Sequence, residues 1–330
     1  MLISKTPLRI SLFSGGSDLK SFYTQQQGAA LSCTIDKFIY CFVHNQPTKQ
    51  IKTVYDNVDY ADCVDDVTHE ITKQTLKYFN QTNNITCGSI SDITARGSGL
   101  GSSSAFTVGL VNCLAQKKFG AGNVLQQYVA ATACEIEIDR CQYPIGKQDQ
   151  YAAAYGGFNL FQFNDDETVD RTPVYLAPET YRSLQENLIL CNSGIHRQAN
   201  DILKKQSTAM SDHAKFDLVR KSRDKAYEGV RLLQNKKVDD FGYLFDCAWQ
   251  DKKAVVSDIT NTFFDQIYDE AKQKGCIGGK LLGAGGGGFF LFYCKNKDRE
   301  RVIKQITKHK GVSVLNFNFT DNCSTVVYSD

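Results

Sequence analysis

A chain of 330 residues, 42% hydrophobic and 22% charged, has a globular composition that argues against intrinsic disorder, and it is long enough to bury a core without a disulfide or metal staple. Its 38 Lys and Arg against 36 Asp and Glu leave a formal charge of +2, so no general electrostatic drive toward nucleic acid or an anionic membrane is expected. At roughly 150 residues per domain the length suggests about two domains.

Leu2–Leu12 reads as a strand interrupted at Pro7, followed by a turn at Ser14-Gly15-Gly16-Ser17. Ala29–Cys33 and Phe38–His44 are rich in β-branched, aromatic and Cys residues and are predicted strands; Ile51–Tyr55 alternates and reads as another. Thr68–Phe79 is a predicted helix. Next comes Gly97-Ser98-Gly99-Leu100-Gly101-Ser102-Ser103-Ser104, leading into a stretch with apolar residues at 106, 110, 111 and 114, a helical period that Gly120 is placed to stop. Val124–Cys141 is predicted as a second helix, and Phe158–Phe163 and Leu188–Cys191 as strands. Beyond Cys191 the texture changes to long charged helices at Arg197–Gln206, Asp212–Gln234 and Asp258–Lys274. A glycine-rich loop, a strand Phe289–Tyr293, a helix Asp298–Lys308 and a strand Ser313–Phe319 close the chain. The change of texture puts a domain boundary near 185–195.

The 12 cysteines contain no C-x-x-C pair and sit mostly in apolar stretches, so they are expected to be reduced, buried thiols of a cytoplasmic protein. The opening residues lack the apolar core of a secretory signal, and no stretch reaches the ~18 apolar residues of a membrane span.

The 25 glycines against 5 prolines concentrate in two clusters. In the first, 97–104, glycines allow close backbone approach to a ligand, while the following helix offers free N–H groups and the positive end of its dipole. That combination suits phosphate, and its serines can cap the helix or offer a hydroxyl to Mg²⁺. It is not a dinucleotide fingerprint, because Ser102 stands where the third glycine belongs. It is not a Walker loop either; the look-alike Gly279-Lys280 continues to Leu281. The second cluster, Gly278–Gly288 running into Phe289, carries an entropic cost that implies close packing or a ligand. A third feature is Gly146-Lys147-Gln148-Asp149-Gln150. Read alone, each also fits an ordinary capped helix or turn.

Taken together and in this order, Thr6-Pro7-Leu8-Arg9-Ile10-Ser11-Leu12 with Ser14-Gly15-Gly16-Ser17-Asp18, the loop 97–104, Gly-Lys-Gln-Asp-Gln and Gly-Ala-Gly-Gly-Gly-Gly-Phe resemble the GHMP kinase superfamily of galactokinase, homoserine kinase, mevalonate kinase and phosphomevalonate kinase. Leu-Arg-Ile-Ser-Leu with Gly-Gly-Ser-Asp, and Gly-Ile-His-Arg-Gln-Ala-Asn-Asp-Ile-Leu, are most similar to its sugar 1-kinase branch, which includes bacterial D-glycero-D-manno-heptose 7-phosphate kinase and fucokinase-like enzymes. The resemblance implies an α+β, two-domain fold. An N-terminal α/β domain (1–190) would carry the ATP phosphate loop, and a C-terminal α+β ferredoxin-like domain with extra helices would follow (191–330). It implies ATP and Mg²⁺ as cofactors, a sugar or sugar phosphate as partner and a possible homodimer, with neither nucleic acid nor membrane.

By the same resemblance, Gly97, Ser98, Gly99, Leu100, Gly101, Ser102, Ser103 and Ser104 would bind the ATP phosphates, and Ser103 with Glu137 would hold Mg²⁺, Glu135 being the solvated neighbour. Asp149 would be the catalytic base, with Arg9 keeping it ionised and Lys147 on the surface. Asp18, Gly15, Gly16, Arg197, Gly285 and Gly286 would face the acceptor, Arg197 reading a phosphate on it. Gly15 and Gly16 stand where galactokinase-like members carry Glu and His, which argues against galactose. Ala95 and Arg96 stand where relatives place proline, Arg96 being expected as a solvated side chain. His196 is assigned to helix capping or packing, and His44, His69, His213 and His309 to structural roles alone. The implied activity is phosphorylation of a sugar's anomeric hydroxyl, most closely that of the heptose 7-phosphate, for nucleotide-sugar and surface-polysaccharide synthesis. The alternatives are a kinase for fucose, a mannose-like hexose or a uronic acid, and a non-catalytic sensor of the same fold.

Overall fold

The structure, a computed structural model, describes residues 1–14, 16–93, 97–120, 122–195 and 199–330. Its strands are β1 (Leu2–Phe13), β2 (Gly28–Asn45), β3 (Ile51–Val54), β4 (Val58–Ala61), β5 (Ile85–Ser91), β6 (Asn159–Phe163), β7 (Val169–Pro173), β8 (Leu188–Asn192), β9 (Cys276–Leu281), β10 (Phe289–Cys294), β11 (Ser313–Leu315) and β12 (Thr325–Ser329). Its helices are α1 (Lys20–Tyr23), α2 (Glu70–Tyr78), α3 (Ser102–Phe119), α4 (Gln126–Cys134), α5 (Gln148–Tyr155), α6 (Pro178–Asn187), α7 (Ala199–Ala209), α8 (His213–Gln234), α9 (Val238–Val255), α10 (Thr262–Gln273) and α11 (Asn296–Ile306). Among the described residues, no helix is long and apolar enough to cross a membrane.

Two sheets organise the molecule. The larger runs β12-β1-β2-β5-β3-β4, with β6 also pairing β2 and β7 pairing β6. The smaller runs β11-β8-β10-β9, all antiparallel. Counting the second sheet's strands from β8, that order is 4-1-3-2 with α11 in the second crossover, the ferredoxin-like arrangement expected of the C-terminal part.

The two strands read at Ala29–Cys33 and Phe38–His44 are one strand, β2. Pro7 pairs with Phe38 and Leu8 with Ile35, so Asp36 and Lys37 bulge out where the sequence pattern broke. The two sheets do not follow the expected division at 190/191 strictly. The second sheet already begins at Leu188, and the last strand, β12, returns to pair with β1 in the first sheet. The reason is packing: Val326, on β12, packs against the core that β1 and β2 share, and Ser324, just before β12, bonds Thr6 and Asn112 across that join.

Helix α9 also binds the halves together. Phe13 of β1 stacks on Phe245 at 5.0 Å and meets Phe241 edge-on at 5.2 Å. Gly229 of α8 lies against the same Phe13 ring, where a Cβ would approach to 2.9 Å. Eight of the twelve thiols are buried and act as small apolar side chains, as expected; burial pushes the Cys276 thiol, for one, up to about 12.

Candidate active site

The phosphate-like loop is built by backbone geometry. Gly97, Gly99 and Gly101 have φ of 66°, 75° and 72°, a left-handed conformation that side chains disfavour. Gly101 ends the loop directly before α3, so the free N–H groups of an 18-residue helix face the loop's concavity. The serines divide their work. Ser98 and Ser102 are buried and bond each other through their hydroxyls at 2.7 Å, and Leu100 N donates to Ser98 Oγ. Ser103 is exposed and donates to Glu137 Oε1 at 2.9 Å. The structure thus brings together the two residues expected to share a metal.

Glu137 lies where α4 widens into a π-helical turn, Glu135–Arg140, which the sequence pattern had read as continuous α-helix. Its carboxylate has no exposure and accepts a second hydrogen bond from Gln150 Nε2 at 2.7 Å. Burial pushes it up to about 7, against the opposing pull of hydrogen bonds from Ser104, Gln150 and Ser103. Glu135 points away and pairs with Arg140 at 2.9 Å.

Arg9 reaches Asp149 from the centre of β1. Its Nε donates to Asp149 Oδ1 at 2.8 Å, its Nη2 to Oδ2 at 2.6 Å, and its Nη1 to the Gly99 carbonyl at 2.7 Å. One guanidinium therefore ties the carboxylate to the phosphate-like loop. Gly101 permits this: a Cβ there would lie 3.0 Å from Arg9 Cγ. Asp149 is in the first turn of α5, whose dipole favours a carboxylate.

Asp18 sits beside the same helix start, accepting from Gln148 N at 3.3 Å and Ser14 Oγ at 3.2 Å. Burial, then the charge of Asp149, raises it to about 6. Gly146 makes room for it, since a Cβ there would meet Asp18 Oδ2 at 2.0 Å. Asp18 and Gly16 line the same cleft of 1480 Å³ as Arg9, Asp149, Ser103 and Glu137. Tyr55, His69 and Phe106 also line the cleft, with the Tyr55 and Phe106 rings 5.6 Å apart. His69 also caps α2 by accepting from Thr72 N.

Three expectations are corrected. Gly285 and Gly286 do not face the cleft. Gly286 N donates to the Ile259 carbonyl at 2.9 Å and a Cβ at Gly285 would strike Ile259, so both are packing positions; Gly283 and Ala284 line the cleft instead. The glycine run stitches the second sheet to the phosphate-like loop: Phe289 N donates to the Ser98 carbonyl at 3.0 Å, and Gly283 leaves no space for a Cβ beside Gly99. Lys147 is not a surface lysine. It is 8% exposed, ion-paired to Glu167 and 4.7 Å from the Tyr23 ring centre. Gly15, Ala95, Arg96, His196 and Arg197 lie outside the described residues.

The sequence reading missed Lys252 and Lys280, which line the cleft from α9 and β9. Lys280 left a trace, a charge inside an otherwise apolar Gly-Gly-Lys-Leu-Leu segment. Lys252 left none, because α9 itself was not read. Gln148 and Gln150, neighbours of Asp149, were also passed over.

Comparison with known proteins places the fold. The model of the GHMP kinases N terminal domain matches residues 68–157, and that of the GHMP kinases C terminal domain matches residues 231–311, together more than half of the chain. The chain is 27% identical over 330 residues to D-glycero-alpha-D-manno-heptose 7-phosphate kinase of Campylobacter jejuni, covering 96% of each. It is 26% identical over 230 residues to the bifunctional fucokinase/GDP-fucose pyrophosphorylase of Arabidopsis thaliana, covering 68% of this chain and 21% of that protein. Among solved structures, a D-glycero-D-manno-heptose 1-phosphate kinase from Bacteroides thetaiotaomicron superposes over all of both chains with a TM-score of 0.80 at 22% identity.

Proposed function

The chain belongs to the GHMP kinases, and on that basis we propose that it transfers the γ-phosphoryl group of ATP to the anomeric hydroxyl of a sugar, D-glycero-D-manno-heptose 7-phosphate being the favoured acceptor. The product would feed nucleotide-sugar and surface-polysaccharide synthesis. The observation that carries the reaction is the bidentate Arg9–Asp149 pair fixed beneath the loop 97–104 in the same cleft as Asp18. The Campylobacter relative, similar over nearly its whole length, supports the choice of acceptor.

The loop fits nucleotide phosphates. Its three left-handed glycines expose backbone N–H groups at a helix N-terminus, with no side chain to fill the concavity. The aromatic rings of Tyr55 and Phe106, which line the same cleft, suit the base. Ser103 and Glu137 are the residues that would hold Mg²⁺. A hydroxyl and one buried carboxylate form a hard-oxygen pair, sparse enough for an ion that keeps several waters and takes phosphate oxygens as its other ligands. Bound there, Mg²⁺ supplies neutralisation of charge on the phosphates.

In this reading Asp149 accepts the proton of the attacking hydroxyl. Arg9 orients the Asp149 carboxylate, so the gain comes mostly from positioning. Asp18 takes hydrogen bonds from acceptor hydroxyls. Because its donors are already in place, Arg9 needs no reorganisation during the transfer.

The test is Mg²⁺-dependent ADP release over heptose 7-phosphate, mannose, mannose 6-phosphate, fucose, galactose and glucuronate. Phosphorus NMR of the product then locates the new ester. The greatest kcat/KM with heptose 7-phosphate, and a phosphoryl group on the anomeric oxygen, are the expected results. Preference for fucose would move the chain to the acceptor named for the Arabidopsis relative, and no sugar-stimulated ADP from any acceptor would make it a sensor.

A further inference from the structure

The cleft holds more positive charge than the reaction above uses. Among the described residues its cationic lining, His69 aside, is Arg9, Lys252 and Lys280. Arg9 is neutralised by Asp149. Lys252 and Lys280 make no ion pair among the described residues. The Lys252 ammonium holds the carbonyls of Leu281 at 2.9 Å and Gly283 at 2.6 Å, and that of Lys280 holds the Leu12 carbonyl at 2.9 Å. An ammonium has three N–H donors, so at least one on each lysine is uncommitted. Lys280 is only 6% exposed. Burial first, then the nearby Lys252 and Arg9 charges, push Lys280 well below its ordinary range, and burial with Arg9 brings Lys252 down to about 7.

Withdrawing a cation from water without a counter-charge is unfavourable, and an arriving anion removes that penalty. A neutral donor lines the same cleft. Gln148 is 4% exposed and lines the cleft; its Oε1 accepts from Ser11 Oγ, while its Nε2 has no partner.

Strand β1 acts as a ruler for where such an anion would sit. Arg9, Ser11 and Phe13 share the face turned to the cleft. Arg9 lies under the phosphate-like loop. Lys280 meets the backbone of Leu12 and lies 6.0 Å from the Phe13 ring centre. At about 3.3 Å per residue, Leu12 is about 10 Å along the strand from Arg9, toward the turn that carries Asp18. Phosphoryl groups seated in the loop are at the Arg9 end; a sugar lying across Asp18 would extend toward Lys280.

We propose that Lys280, with Lys252 and Gln148, forms a subsite for a phosphate carried by the acceptor at the end remote from the hydroxyl being phosphorylated. This deepens the kinase reading and rests on it: the two lysines select a sugar monophosphate over the corresponding neutral sugar. ATP is the other source of a phosphate in the cleft, and the test separates the two.

Wild type, Lys280→Met, Lys252→Met and Lys280→Arg are compared by calorimetric binding without nucleotide, and by ADP release with Mg-ATP. The probes are the pairs heptose 7-phosphate with its dephosphorylated heptose, and mannose 6-phosphate with mannose. Each Met variant is expected to weaken the phosphorylated partner at least about tenfold, the scale of one lost charged hydrogen bond. The neutral partner and the KM for ATP should shift less than about twofold, and Lys280→Arg should retain the preference. Thermal unfolding verifies that each variant folds; if Lys280→Met does not, Lys280→Gln takes its place. Equal weakening of both sugars, or an effect on ATP alone, overturns the subsite and leaves the kinase reading intact. No preference for sugar phosphates in the wild type also overturns it. In that case ADP release with neutral sugars keeps the kinase reading, and its absence with every sugar removes both.

Discussion

Asp149 and Asp18 show how one helix start gives two carboxylates different surroundings. Asp149 is clamped by Nε and Nη2 of Arg9, and Asp18 is held by one backbone N–H and a serine. Asp149→Asn keeps the loop 97–104 and should therefore keep ATP binding, while kcat falls by about 10²–10⁴-fold, the usual range for a positioned general base. Near-wild-type kcat would remove Asp149 from that role. Asp18 leads to a pH prediction. Its carboxyl is raised from 3.8 to about 6, so the folded state binds the proton more tightly than the unfolded chain. The stability this brings is complete below 3.8 and is lost as the pH rises through about 6. Asp18→Asn should thus be more stable than wild type at about pH 8, by about 1–3 kcal/mol, and match it at about pH 4, while losing activity. Denaturant titrations at both pH values check it; a gain of the same size at both would assign the effect to packing.

At the scale of elements, the loop and the π-turn place the chemistry. Gly101 is the joint between loop and helix, left-handed and in contact with the Arg9 side chain. Gly101→Ala combines about 1–2 kcal/mol of backbone strain with displacement of Arg9. It should raise the KM for ATP and lower kcat together, because Arg9 links Gly99 to Asp149. A change in stability with unaltered kinetics would show that the loop relaxes independently of Arg9. The π-turn at Glu135–Arg140 matters in a different way. It is the local geometry in which Glu137 faces Ser103 while Glu135 faces Arg140 at the surface.

At the scale of the whole molecule, the cleft is a product of contacts between the two sheets. Phe13 continues from Arg9 along β1 and is held by Phe241 and Phe245 of α9, the helix that also carries Lys252. Phe13→Ala should cost about 3–5 kcal/mol, as for other fully buried aromatic side chains. It should also weaken acceptor use more than ATP use, because the loop 97–104, proposed to bind ATP, is tied to β1 through Arg9, farther up the strand. Denaturant unfolding and the two KM values measure both effects. Equal changes in the two KM values would mean that α9 does not set the acceptor end of the cleft.

Most of the proposed site was legible in the chain. Local patterns carry the loop 97–104, the Gly-Lys-Gln-Asp-Gln turn and the Arg9 strand, because each depends on backbone conformations that only certain residues in sequence can adopt. Elements with weak or mixed patterns were not legible: the edge strands β4 and β12, the short β7, and α9, whose charged ends hide an apolar face. Nor was the depth at which Lys252 and Lys280 lie, or the turning of Gly285 and Gly286 away from the cleft. The sequence by itself determined which family of loops the chain forms and the residue types that can hold phosphate and a hard cation. The tertiary structure alone decided which of those residues meet in one cleft and which lysines lie there without an ion pair among the described residues. Burial and charge neighbourhood depend on chain segments more than two hundred residues apart, such as Leu12 and Lys280, and no local pattern records them.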